Sequence, residues 1–384
     1  MSKPIDSKTV SIYDHLKKKP SLVNKGIENL NSEEVYEVLN KNSNDTVSYW
    51  FKLQQAWCNN AYNTFKDYDS YLILIFLVNE IFKKYSDRFQ YLTYDEFYEK
   101  KELIIDKINL IEISKDLNIP KETIRRKVNF LQEKNIIFRK GKSIFFNSHF
   151  LNNTQRPANS KQMMSVFLEK SGQILAKESW FGRAFNRIEI EKFIDKYFTI
   201  CWQHWFRLQI PFLVRHRTFY GDLETWNVWG SIGISQFSDY NKQIQNRIVE
   251  DPRSYADLYL HLLRHTPKNG INASSISEIS NIPRATVIRK LKTLLKQKLI
   301  MKNKKLEYML LPSPRNVKSF EQNYMHNQKY KANFVTTIFD LMKNSSFKIW
   351  LPLATNGDMK AQNGIGSIFF FGHGFEQDYQ VALK

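Results

Sequence analysis

The sequence predicts a mainly α-helical protein with small β-hairpins, built as two similar units in tandem joined by helical segments. Hydrophobic residues fill 42% of the 384 positions and aromatics 14%, enough to build a core and too much for a disordered chain. The stretch from Ile113 to Leu131 aligns without a gap to Ile276–Leu294. Within it Ile113/Ile276, Ser114/Ser277, Asn118/Asn281, Ile119/Ile282, Pro120/Pro283, Thr123/Thr286, Arg126/Arg289, Lys127/Lys290 and Leu131/Leu294 are identical. Each copy runs at helical spacing and then changes to short β-prone stretches around a basic turn.

The repeat extends upstream. Trp50, Phe51, Leu53 and Gln54 echo Trp205, Phe206, Leu208 and Gln209. Phe65, Asp67, Asp69, Ser70 and Tyr71 match Tyr220, Asp222, Glu224, Thr225 and Trp226. The offset differs slightly from that of the downstream block, so the intervening loops must differ in length. The repeated unit is roughly a hundred residues, an aromatic helical part followed by a basic helix-turn-helix. The expected organisation is a flexible N-terminus at 1–30 and a first unit at 31–150. A linker with an amphipathic helix follows at 151–196, then a second unit at 197–312 and a C-terminal helix and tail at 313–384.

In the first unit, short helices are expected at Glu99–Lys107 and Ile111–Leu117. Asn118, Ile119 and Pro120 make a tight turn, because proline cannot extend the preceding helix but suits the first turn of the next. A third helix covers about Lys121 to Lys134, with Ile124, Val128 and Leu131 as one apolar stripe. Strands at 136–138 and 143–146 flank a basic turn at 139–142. The second unit gives helices at Ser254–His265, Ser274–Ser280 and Arg284–Lys298, the last with Val287, Leu291 and Leu294 as its stripe. Its hairpin tip is 302–305, ending in a strand at 308–311. Between the units, Phe167, Ile174, Leu175, Phe181, Phe185, Ile188, Phe193, Ile194 and Phe198 suit one or two amphipathic helices. A helix is expected at Asn323–Lys343; the Gly-rich aromatic end receives no assignment.

Lys plus Arg exceed Asp plus Glu by 19, and no acidic residue occurs from Arg284 to Lys305. Such an excess favours polyanionic partners, nucleic acid first and an anionic membrane surface second. Cys58 and Cys201 are the only cysteines, so neither a disulfide framework nor a Cys-based zinc site can be built. Met1–Lys19 lacks the apolar core of a signal peptide, and the best apolar run, Tyr71–Val78, is too short to span a bilayer. A cytoplasmic protein with no membrane partner is expected.

Helix, helix, turn, helix and basic hairpin is the winged-helix plan, and it occurs twice. Both blocks resemble the winged helix-turn-helix domains of bacterial transcription regulators. The shared pattern is Ile-Pro, two residues, Thr, an aliphatic residue, one residue, Arg. The stretch from Lys121 to Arg126 is similar to the recognition-helix start of the cyclic-AMP-receptor type. The resemblance implies that Lys121, Glu122 and Arg126 read base edges. The matching positions are Arg284, Ala285 and Arg289, where Ala285 departs from the pattern. It further implies double-stranded DNA as partner, transcription regulation as function and a place at the nucleoid.

The candidate DNA-binding residues are therefore Lys121, Glu122, Thr123, Arg125, Arg126, Lys140 and Lys142 in the first unit. In the second they are Arg284, Thr286, Arg289, Lys292, Lys302, Lys304 and Lys305. Arginine donates two hydrogen bonds to guanine and glutamate accepts from cytosine, while Thr123 and Thr286 suit phosphates. The two units would act as a covalent pseudo-dimer on two half-sites about one helical turn apart.

No enzymatic chemistry is expected. His261 and His265 stand at i, i+4 without a third ligand, and the glycines near Gly364 and Gly372 follow no phosphate-loop pattern. No cofactor is implied. The aromatic blocks Tyr49–Trp57 and Trp202–Phe212 carry helical spacing, which favours a core or a homo-oligomer interface over base stacking. The alternative functions are a plasmid- or phage-type replication initiator or partition protein, and a winged-helix protein-interaction scaffold.

Overall fold

A computed structural model describes residues 31–371, apart from 88–89, 106–107, 142, 152–157, 179–183, 246–253, 265–269, 356 and 358. The first half holds α1 (Ser32–Lys41), α2 (Ser43–Phe65), α3 (Tyr68–Asp87), α4 (Tyr94–Glu99), β1 (Leu103–Ile105), α5 (Leu110–Leu117) and α6 (Lys121–Glu133). The hairpin β2 (Ile137–Lys140) and β3 (Ser143–Phe146) and then α7 (Ala158–Lys177) complete it. The second half runs α8 (Arg187–Lys196), α9 (Phe198–Tyr220), α10 (Leu223–Gln245), α11 (Tyr255–Arg264), α12 (Ala273–Ser280) and α13 (Arg284–Lys296). Then come β4 (Ile300–Lys302), β5 (Tyr308–Leu310), α14 (Pro314–Thr355) and α15 (Met359–Phe371). Matching helices have matching lengths: 10 residues for α1 and α8, 23 for α2 and α9, 13 for α6 and α13.

The protein is mainly helical with small antiparallel sheets. In the first half β1, β3 and β2 form a three-stranded sheet in that order, with Leu103 opposite Phe146 and Ile137 opposite the same residue on the other side. In the second half β4 pairs with β5, and a single bridge between Ile271 and Tyr308 stands where β1 would lie. Gly270 is required beside that bridge, because a Cβ there would come within 2.7 Å of Glu307 Cβ.

The helix expected at Glu99–Lys107 is a correction: α4 ends at Glu99 and residues 103–105 form β1. The alternation Leu103 buried, Ile104 exposed, Ile105 buried fits a half-covered strand, and pairing with β3 outweighs helix propensity. Arg139 and Lys140 belong to β2 rather than to the turn. The segment expected to hold one or two helices holds three, α7, α8 and α9, and Ile188 within it is exposed. The helix placed at Asn323–Lys343 is the middle of α14, and α15 occupies part of the Gly-rich end. The N-terminal residues 1–30 lie outside the described residues.

The apolar run Tyr71–Val78 lies inside α3, which is buried on nearly every side: Leu72 and Ile73 are fully covered. A helix that is apolar all round needs partners on all faces. α3 finds them in α2, α6, α9 and β1. Lys66, in the left-handed conformation at φ 53°, ends α2, and Gly221 at φ 89° ends α9 at the matching place. Core side chains of both halves form one continuous cluster, with α14 laid across α1 and α9.

Candidate nucleic-acid interface

The repeated identities around each helix-turn-helix satisfy backbone groups. Asn109 caps α5 by accepting from Ile111 N and Glu112 N, and Asn272 caps α12 by accepting from Ser274 N and Ser275 N. Asn118 at φ 51° and Asn281 at φ 55° end those helices in the left-handed region that asparagine tolerates. Ser114 Oγ donates to the Ile119 carbonyl at 2.7 Å, and Ser277 Oγ to the Ile282 carbonyl at 2.6 Å. Pro120 and Pro283 then stand at the start of α6 and α13, where a missing N–H costs nothing.

A second pair of contacts sets the tilt of each third helix. Lys127 Nζ lies 2.9 Å from Asp67 Oδ2, and Lys290 Nζ lies 2.6 Å from Asp222 Oδ2. Each aspartate also caps the long helix that follows it, Asp67 accepting from Ser70 N and Asp222 from Thr225 N. Burial pushes the Asp222 carboxyl up, but the hydrogen bonds from Lys290 and Thr225 outweigh it and hold it below its ordinary value. α6 is thereby tied to α3, and α13 to α10. These lysines were visible in the sequence only as repeat identities; that each meets an aspartate some sixty residues upstream needed the fold.

The two halves also cap one another. Gln55 and Asn59 on α2 donate their side-chain amides to the Ile279 carbonyl at the end of α12, at 2.8 and 2.9 Å. Arg217 on α9 donates to the Asn118 carbonyl at the end of α5, at 2.9 Å. Carbonyls in the last turn of a helix lack partners within it, so each long helix supplies what the opposite short one needs.

On this frame the outward faces of α6 and α13 are free of core contacts. Lys121, Glu122, Arg125 and Arg126 are exposed, while Ile124, Val128 and Leu131 are buried. Arg284, Arg289 and Lys292 are exposed, while Val287, Leu291 and Leu294 are buried. Thr123 and Thr286 are half-buried at the helix starts. Glu122 and Arg125 pair with each other at 2.6 Å, and that hydrogen bond holds the carboxyl below its ordinary value. Arg284 Nε reaches Ser274 Oγ at 3.1 Å.

The hairpins are exposed as well. Lys140 pairs with Glu102, which draws it back along the sheet; Lys142 lies outside the described residues. In the second unit Asn303 builds the turn, its Oδ1 accepting from Lys305 N and Glu307 N at 2.9 Å each. Lys304 and Lys305 are exposed at its tip, and Lys302 sits over the Tyr308 ring at 4.9 Å.

The aromatic blocks are interior. Trp57 meets Trp202 at a tilt and Trp205 edge to face, at 6.1 and 5.4 Å, and Trp50 meets Trp205 at 6.3 Å. All four rings are at most 6% exposed. Of the two readings favoured for these blocks, a core or an interface with a second copy, the burial of these rings fits the core, because α2 and α9 bring their aromatic faces together. Cys58 and Cys201 are buried there; burial pushes the Cys58 thiol up to about 12 and Cys201 also upward. His261 Nδ1 lies 3.0 Å from the Tyr240 hydroxyl, and His265 is outside the described residues.

Among the described residues no cluster of His, Cys, Asp or Glu is arranged to hold a metal, and no helix is long and apolar enough to cross a membrane. Comparison with protein-family models, curated proteins and solved structures gives no match.

Proposed function

We propose that this chain binds double-stranded DNA through two winged-helix units, with α6 and α13 as recognition helices. The observation that carries the reading is the same in both: an apolar stripe turned to the core and a cationic face turned to solvent, with Arg126 and Arg289 at identical positions. Strand β1 packed on β3 and the hairpins β2–β3 and β4–β5 support the winged-helix plan. In this reading Arg126 and Arg289 donate to guanine edges in the major groove. Lys121, Glu122 and the matching Arg284 meet neighbouring base edges, while Arg125, Lys292 and the backbone N–H groups beside Thr123 and Thr286 hold phosphates. Lys140, Lys302, Lys304 and Lys305 reach the flanking backbone. Because α2 and α9 tie each unit to the other, the spacing of the two half-sites is set by the core and not by a loose linker.

Binding to genomic fragments, followed by gel shift at two salt concentrations, tests this. Arg126→Ala and Arg289→Ala are each expected to cost about 1–3 kcal/mol and to relax base preference at one half-site. Lys304→Ala is expected to weaken all sequences alike and to flatten the salt dependence. Unchanged binding by the Arg126/Arg289 double variant would sink the proposal. The narrower role of transcription regulation predicts that selected fragments lie beside regulated genes; short repeated sites at an origin would favour a replication initiator instead.

A further inference from the structure

A cavity of about 140 Å³ lies where α2, α9, α10, α11 and α14 meet. An apolar cavity of about 150 Å³ is known to take one benzene ring, so this space suits a single six-membered ring. Trp50, Phe212 and Trp226 wall it, with Phe212 and Trp226 edge to face at 5.5 Å. Among the polar side chains that line the same space, Gln54 and Lys331 bear most directly on a ligand. Gln54 is 6% exposed, and neither atom of its amide has a hydrogen-bond partner. Leaving both unmet in the interior is costly, and a bound polar group removes that cost. Lys331 is 3% exposed, with its ammonium 5.6 Å from the Trp50 ring centroid. Burial brings its pKa down to about 7.

The repeat supplies an internal control. A second cavity, of about 80 Å³, is lined by Trp57, Phe65 and Tyr71, the counterparts of Phe212, Tyr220 and Trp226 around the first. It therefore occupies the matching place in the other half. There Ala61 replaces His216, and no charged residue lines the space. Asn60 Nδ2 and Ser160 Oγ, which do, hydrogen-bond each other at 2.8 Å. One member of the pair is smaller and lined by no charged group, while the other is larger and is lined by a buried amide and a buried amine.

We propose that the larger cavity is a binding site for a small single-ring planar acid. Its ring lies between the aromatic walls, and its carboxylate both faces Lys331 and accepts a hydrogen bond from the Gln54 amide. The site stands whether or not the chain binds DNA.

Calorimetric titration of the full chain with benzoate tests it. Benzoate is expected to bind saturably at millimolar concentration or below, and benzylamine, of equal size and opposite charge, not to bind. Near neutral pH binding takes up protons, because a carboxylate beside Lys331 favours the charged amine; the heat then depends on the ionisation enthalpy of the buffer. Lys331→Met is expected to lower benzoate affinity by about tenfold or more and to abolish the proton uptake. Gln54→Leu removes the unmet amide, so it folds at least as stably, and it weakens benzoate several-fold. Thr64→Val, in the matching cavity, leaves benzoate binding as it was. The proposal is overturned by no saturable heat, by equal binding of benzylamine, by unchanged affinity in Gln54→Leu, or by an equal loss in Thr64→Val. If Lys331→Met fails to fold, the Gln54→Leu result decides.

Discussion

In the first half Asp69 faces Arg217 across the boundary between units, at 2.8 Å. The matching carboxylate of the second half, Glu224, stands beside Asp222 and Lys290, and the position matching Arg217 is Tyr62. The consequences diverge. Burial pushes the Glu224 carboxyl up to about 7, with the Asp222 charge adding to it. Burial and the nearby Glu224 push the Tyr62 phenol upward too. Meanwhile Lys127–Asp67 and Lys290–Asp222 are the same contact made twice. What recurs is what each helix-turn-helix needs for its own geometry. What differs is how one unit meets the other, and what each turns outward: Glu122 on α6, Ala285 on α13.

The largest expected effect is in the shared aromatic core. Trp205 is fully buried against Trp50, Trp57 and Phe334, so Trp205→Ala should cost about 3–5 kcal/mol in denaturant unfolding. Its counterpart Trp50 borders the larger cavity, and Trp50→Ala should cost less. Equal losses would mean that the halves pack alike after all.

Next come the divergent carboxylates, where the same chemical change should have opposite signs. Asp69→Asn breaks a largely buried ion pair and should destabilise by about 1–3 kcal/mol at neutral pH. Glu224 binds its proton more tightly in the folded state than when unfolded. The stability this gives is fully present below the ordinary glutamate range and is lost as pH rises through about 7. Glu224→Gln should therefore flatten the pH profile and gain about 1–3 kcal/mol over the natural chain at alkaline pH. Thermal unfolding as a function of pH reads both, and a loss for Glu224→Gln at alkaline pH would contradict the contrast.

Smaller and equal effects are expected where the contact recurs. Lys127→Met and Lys290→Met should each cost about 1–2 kcal/mol, since the partner aspartates are partly solvated. A difference larger than the error of the measurement would show that the two anchors are not equivalent. Smallest for stability is Ala285→Glu, at an exposed site, expected within about 0.5 kcal/mol. If the DNA reading holds, this change should nonetheless bring the base preference of the second unit toward that of the first, measured by selection from random duplexes.

Short-range features were legible because they depend on neighbours in the chain. The stripes Ile124–Val128–Leu131 and Val287–Leu291–Leu294 follow helical spacing, and Asn-Ile-Pro demands a turn; the observed α5, α6, α12 and α13 start and stop within two residues of expectation. The helix expected at Glu99–Lys107 failed because Leu103-Ile104-Ile105, two of them β-branched, became a strand once β3 lay beside them. The aromatic blocks were legible as apolar helices, but whether their faces met each other, a second chain or a base depended on residues some hundred and fifty positions away.

The sequence alone determined the duplication, the mainly helical class, the excess of positive charge and the register of each helix-turn-helix, since these follow from composition and from spacing within a turn or two. The tertiary structure decided that Lys127 and Lys290 are anchors rather than free cations and that each long helix caps the other half. It also decided that one of two matching cavities keeps a buried amide and amine. Those outcomes rest on which atoms are excluded from water together, and burial is a property of the folded whole that no local stretch of chain contains.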